Sequence, residues 1–171
     1  MSGGLDRLNA LGRDEARDLL RGCCGSRRWA EAMEARRPFK DAASLHGAAE
    51  EVASGLSGED WLEAFAGHPR IGDRARLRER FGRSGEWSRR EQAGLEAASG
   101  ELLEAIAEGH RLYEERFGHI FLVRAAGKDA SQILALLRER LGNSPEVELR
   151  VAADEQRSIT RLRLEALLQE G

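Results

Sequence analysis

Apolar side chains recur three and four positions apart along most of this chain, and that spacing, the period of an α-helix, restricts it to folds made by packing helices. Between Arg13 and Cys24 the stripe is Ala16, Leu19, Leu20 and Cys23, and it returns at Trp29, Ala32 and Met33. It continues over 41–55 at Ala42, Leu45, Ala48, Ala49 and Val52, and over 59–66 at Trp61, Leu62 and Phe65. The breaks carry helix punctuation. Gly25 is expected to end the first helix and Ser26 to cap the second. The second stops before Pro38, because a residue preceding proline avoids α geometry. These two read as an αα-hairpin. Ser54-Gly55-Leu56-Ser57-Gly58 is a turn between the third and fourth, so the first half reads as four helices. Only 3 prolines and 5% aromatic residues, against 33% charged ones, favour the same all-α reading.

The second half begins with Gly67-His68-Pro69-Arg70-Ile71-Gly72-Asp73, a glycine-framed loop holding a proline. Ser88-Arg89-Arg90-Glu91 then has the spacing of a capping box, opening a helix expected to run through Leu102 and Ile106 toward Phe117. Ile120-Phe121-Leu122-Val123 is a short apolar run between Gly118 and Gly127, read as extended and buried. Residues 130–141 form another amphipathic helix closed by Gly142-Asn143. Ser144 and Pro145 suit the cap and first turn of a last helix reaching about Leu168. At 171 residues, with no internal repeat or linker, a single domain of about seven to nine helices around one core is expected.

Charge and cysteine usage narrow the function. A net charge of −3 and a pI near 5.9 disfavour a nucleic-acid binder, which concentrates positive charge. Cys23 and Cys24 are adjacent, match neither a zinc spacing nor a disulfide framework, and read as packing residues at a helix end in a reducing compartment. No stretch approaches the ~20 apolar residues of a membrane span, and no signal sequence or peroxisomal tripeptide is present, so a soluble cytoplasmic protein is expected. His46, His68, His110 and His119 show no metal-binding spacing, and phosphate-loop, dinucleotide and nucleophile-elbow patterns are missing.

Three groups could carry chemistry, each with a plainer alternative. His68 sits beside a proline that stiffens its loop, which suits a catalytic acid or base; ordinary loop or capping duty fits equally. Ser88, Glu91 and Gln92 offer a hydroxyl, a carboxylate and an amide from one helical turn, although the capping box alone accounts for Glu91. Arg161 and Arg163 lie among Ile159, Leu162, Leu164 and Leu167, where a guanidinium could hold a substrate carboxylate or simply face solvent.

Leu8-Asn9, Cys23-Cys24-Gly25-Ser26 with Trp29, Arg37-Pro38-Phe39, Phe65 through Asp73, Ser88 through Gln92, Phe117 through Phe121, Arg140 through Asn143 and Ile159 through Leu164 together resemble the OHCU decarboxylase family, in order and over nearly the whole chain. The resemblance implies an all-helical, cofactor-free homodimer. Its substrate would be 2-oxo-4-hydroxy-4-carboxy-5-ureidoimidazoline, converted to S-allantoin and carbon dioxide late in urate degradation. By the same resemblance His68 is the catalytic histidine, Glu91 the essential glutamate and Arg163 the substrate-holding arginine, with Arg161 the second choice. Ser88 and Gln92 match the polar partners of the glutamate, Pro69 lines the pocket, and the backbone of Ile120, Phe121, Leu122 and Val123 matches a ligand-contacting segment. His119 departs from the pattern, some members having an aromatic residue there. The competing reading is a non-catalytic helical interaction module derived from this family, with no metal, nucleic acid or membrane in either case.

Overall fold

The computed structural model describes residues 3–68, 89–124 and 128–170, with 89–99 described as backbone only. Among them are eight helices: α1 (Gly3–Ala10), α2 (Arg13–Cys23), α3 (Arg27–Ala35), α4 (Ala42–Ser54), α5 (Gly58–Ala66), α6 (Arg89–Phe117), α7 (Ala130–Leu141) and α8 (Pro145–Gln169). The all-α expectation holds, and the helix ends follow the residues that punctuate them. The Ser26 hydroxyl accepts from the Trp29 amide at 3.2 Å to open α3, and Ser144 accepts from the Val147 amide at 3.3 Å beside Pro145 to open α8.

Two boundaries differ from the sequence reading. α2 ends at Cys23, and Cys24, in extended geometry, caps it by donating its amide to Leu20; Gly25 lies beyond the helix. The second difference is α1, a helix absent from the four expected in the first half. The expected helices begin at Arg13, and Gly3 and Gly4 each weaken helix propensity by about 1 kcal/mol. Packing supplies the reason for Gly4. A Cβ there would run into the Leu167 carbonyl and the Leu168 backbone, so only glycine lets α1 lie this close to α8.

The chain groups into two compact units, Met1–His68 with Leu149–Gly171, and Pro69–Glu148. In the first, α2 packs on α3, and α3 on α4 and α5. Leu5, Leu8, Leu20, Trp29, Met33, Leu45 and Leu164 fill its core at 2% exposure or less. Each such side chain stabilises the fold by about 1.5–3 kcal/mol. Asn9 and Phe39 exchange two hydrogen bonds of 2.9 Å, and Arg37 donates at 2.8 Å to the Leu8 and Leu11 carbonyls at the open end of α1. Several residues that carry the family resemblance therefore hold α1 in place.

In the second unit α6 packs on α7, and a Cβ on Gly109 would clash with the Leu137 side chain. Gly118, at φ 76°, turns the chain out of α6. The segment Ile120–Val123 that follows is neither helical nor paired as a strand; Phe121, Leu122 and Val123 are buried and Ile120 half-buried. Its expected burial holds for those three.

Candidate active site

The first unit holds a polar arrangement against its apolar core. α5 is set by a capping box: the Ser57 hydroxyl accepts from the Asp60 amide at 3.2 Å, and the Asp60 carboxylate accepts from the Ser57 amide at 2.9 Å. Buried Trp61 and Phe65 anchor its inner face. The helix then runs out at Gly67, and the His68 amide donates back to the Phe65 carbonyl at 3.1 Å. His68 thus leaves a fixed helix end with its imidazole half-buried.

What receives the ring comes from α8. Gln156, Thr160 and Arg163 stand four and seven positions along it and share one face. His68 Nε2 lies 2.5 Å from Gln156 Oε1. Gln156 donates through Nε2 to Thr160 Oγ1 at 3.0 Å, and Thr160 reaches the Cys23 carbonyl at the end of α2 at 3.3 Å. Arg163 donates to the Gly22 carbonyl at 3.1 Å through Nη1, and its Nη2 lies 3.5 Å from His68 Nδ1. Gln156 and Thr160 are buried, whereas Arg163 reaches solvent.

Burial is the main force holding the His68 pKa below its ordinary 6.5; the Gln156 hydrogen bond pushes it up, and the nearby Arg163 charge pulls it further down. Near neutral pH the ring is therefore an uncharged base. Beneath it, burial pushes the Cys23 thiol up to about 11, against the pull of Arg163, and raises Cys24 as well. Both are free thiols, held protonated in the core as packing groups.

Arg161, two positions from Arg163, is turned about 200° around the helix. It pairs with Glu165 at 3.2 Å. It also borders a cavity of about 10 Å³ with His46, Trp29, Thr160 and Leu164, room for about one water. The pKa of His46 is depressed there, by burial first and by Arg161 second.

Of the residues singled out in the sequence, His68 and Arg163 are brought together. Pro69 and Ser88 lie outside the described residues, as do the side chains of Glu91 and Gln92, whose backbone belongs to α6. In the second unit the side chains of Phe121, Leu122 and Val123 face the core, and the Leu122 carbonyl accepts from Arg140 at 2.5 Å. Gln156 and Thr160 were not foreseen. The available signal was polar residues, Gln156 and Thr160, on the buried stripe of α8 beyond Glu148, where it otherwise carries Ala152, Ala153, Leu164 and Leu167. Among the described residues no three His, Cys, Asp or Glu side chains are grouped to hold a metal, and no helix is long and apolar enough to cross a membrane.

A half-buried neutral imidazole beside a solvent-reaching guanidinium can exchange a proton with a group on an anionic ligand while the cation holds that ligand. A family model described as OHCU decarboxylase matches residues 9–165. The uric acid degradation bifunctional protein of Arabidopsis thaliana is 35% identical over 151 residues, covering 86% of this chain and 46% of that protein; the chain thus spans about half the length of this relative. The 2-oxo-4-hydroxy-4-carboxy-5-ureidoimidazoline decarboxylase of Haloferax volcanii is 28% identical, covering 94% of this chain and 93% of that one. Among solved structures, an OHCU decarboxylase crystallised in the presence of (S)-allantoin superposes with a TM-score of 0.72 at 32% identity, over 90% of this chain and 99% of that one.

Proposed function

The chain belongs to the OHCU decarboxylase family, and on that premise we propose that it converts 2-oxo-4-hydroxy-4-carboxy-5-ureidoimidazoline to S-allantoin and carbon dioxide. The single observation that carries this reading is the His68–Arg163 pair on its buried Gln156 support. The Haloferax relative, matched over nearly its whole length, supports the same activity. The family match runs continuously from 9 to 165, which supports one domain of this family. The reading includes a cytoplasmic homodimer that uses no cofactor.

The chemistry needs little beyond positioning. The substrate's carboxylate stands on a carbon next to a C=N bond, so the electron pair freed when the C–CO₂ bond breaks moves into the ring and onto that nitrogen. Arg163 holds an anionic or carbonyl oxygen, and Glu91 and Gln92 bind ureido and ring N–H groups. Together they fix the leaving carboxylate perpendicular to the conjugated plane. His68 takes the proton of the hydroxyl on the decarboxylating carbon, which becomes a carbonyl. It returns that proton to one face of the neighbouring carbon, which gives the product one hand, while the ring nitrogen that received the electron pair takes one proton from solvent to become N–H. Ser88, Pro69 and the Ile120–Val123 backbone complete the binding surface.

The test generates substrate freshly from urate with uricase and hydroxyisourate hydrolase and follows circular dichroism. Rapid appearance of S-allantoin in proportion to added protein supports the decarboxylase. Racemic product at the spontaneous rate overturns it in favour of a non-catalytic interaction module.

A further inference from the structure

The hydrogen bonds around His68 have a direction, and the direction selects one tautomer. The chain of contacts ends on the Cys23 carbonyl, which can only accept, so the Thr160 hydroxyl donates to it. With its proton committed there, Thr160 Oγ1 accepts from the Gln156 amide nitrogen, and this turns Gln156 Oε1 toward the ring. An oxygen facing Nε2 requires the proton on Nε2. At the other edge of the ring, Arg163 has only N–H groups to offer, and a lone pair on Nδ1 matches them.

The alternative assignment fails at two points. Flipping the Gln156 amide would aim its NH₂ at Nε2 and move the ring proton to Nδ1, where it would meet an Arg163 N–H head on at 3.5 Å. The same flip would draw the Thr160 proton to Gln156 and take it from the Cys23 carbonyl. The Cys23 carbonyl is the buried one of the two, and leaving a buried acceptor without its donor is what decides against the flip.

We propose that Gln156 and Thr160 are positioning residues that hold His68 as its Nε2–H tautomer, so that Nδ1, on the Arg163 side of the ring, is the nitrogen that exchanges the substrate proton. The proposal rests on the decarboxylase reading for its chemistry and on the polarity of the hydrogen bonds alone for the tautomer. Nε2 is occupied by a buried amide and is closed to ligand. Nδ1 contacts Arg163 at the outer limit of a hydrogen bond. A substrate hydroxyl can therefore replace that contact, with its anionic oxygen engaging the guanidinium alongside. The Cys23 carbonyl at the end of α2 is the fixed point to which the arrangement is tied.

The test combines ¹⁵N NMR of the full chain labelled at histidine with turnover of Gln156→Leu, Thr160→Val and Thr160→Ser. In the wild-type protein above the titration of the ring, His68 should show a protonated Nε2 and a lone-pair Nδ1. Gln156→Leu should lose this preference and lower kcat by roughly 10- to 100-fold with KM little changed, the loss expected when the group orienting a functional imidazole is removed. Thr160→Val should lower kcat in the same direction, and Thr160→Ser, which keeps the hydroxyl, should restore it. A wild-type ring protonated at Nδ1 overturns the assignment without needing any variant. A folded Gln156→Leu protein with wild-type kcat overturns the positioning role. An inactive wild-type protein whose ring still shows Nε2–H would instead overturn the decarboxylase reading and leave the tautomer assignment standing.

Discussion

The polar network around Glu148 in the second unit and the one around His68 in the first are made of similar groups, yet one closes on itself and the other opens to solvent. Glu148 is fully buried and accepts from the Tyr113 hydroxyl at 2.5 Å, from the Arg140 guanidinium at 2.6 Å and from Asn143 Nδ2 at 3.0 Å. Arg140 spends its remaining reach on the Leu122 carbonyl and on the face of Phe121, 4.4 Å from the ring centroid. Burial, then the contact with Glu148, drives the Tyr113 pKa upward, so its proton stays in place. Among the described residues the side chains of Tyr113, Arg140, Asn143 and Glu148 are all engaged with one another, so that network is saturated. Around His68, by contrast, the hydrogen bonds begin on a core carbonyl and end on an imidazole edge and a guanidinium within reach of solvent. A saturated network specifies the fold, whereas one with an open end can be completed by a substrate.

This contrast can be broken most sharply through activity. His68→Ala is expected to lower turnover by ~10²- to 10⁴-fold, the range for a general acid or base, and Glu91→Ala by ~10²-fold through lost substrate positioning. Circular dichroism of both variants should show wild-type helicity. Arg140→Ala reverses the pattern: it strands a buried carboxylate, should cost about 3–5 kcal/mol, and should lower Tm by roughly 10 °C in a thermal scan. Smaller again is the difference between the two arginines of α8. Arg163→Ala should lose about 10- to 100-fold in kcat/KM, the worth of a charge-assisted hydrogen bond. Arg161→Ala, whose partner is the exposed Glu165, should stay within about 3-fold. If Arg161 proves the more damaging loss, the substrate cation has been misassigned.

The smallest effect is in pH. Because the His68 pKa is depressed in the folded protein, the unfolded chain binds its proton more readily as pH falls below 6.5. The stability involved is complete above that value and is lost as pH drops through the folded pKa. Activity that needs the neutral ring should likewise hold down to below pH 6.5 before its acid limb begins, as a kcat/KM profile would reveal. His68→Gln should flatten the matching dependence of Tm on pH.

Much of the fold was legible because helix periodicity and caps are local. Ser26, Ser144, Pro145 and the Leu stripe of α7 act on their own turns, and the helices form where those residues say. α1 was missed because its decisive fact is non-local: Gly4 is there for the approach of α8, which lies more than a hundred and fifty residues along the chain. The site divides the same way. The stiffened loop made His68 a candidate, and the family resemblance chose Arg163 over Arg161. Neither could reveal that Gln156 and Thr160 link the ring to the end of α2, since that chain depends on three separate elements meeting. Arg140 and Asn143 lent further support to the resemblance and turn out to belong to the saturated network.

The most direct measurement of the central claim is a crystal structure of the full chain soaked with S-allantoin. Density for the ligand against His68 Nδ1 and the Arg163 guanidinium, with Gln156 still on Nε2, is the result expected. Ligand bound elsewhere, with the His68–Arg163 contact undisturbed, would contradict it.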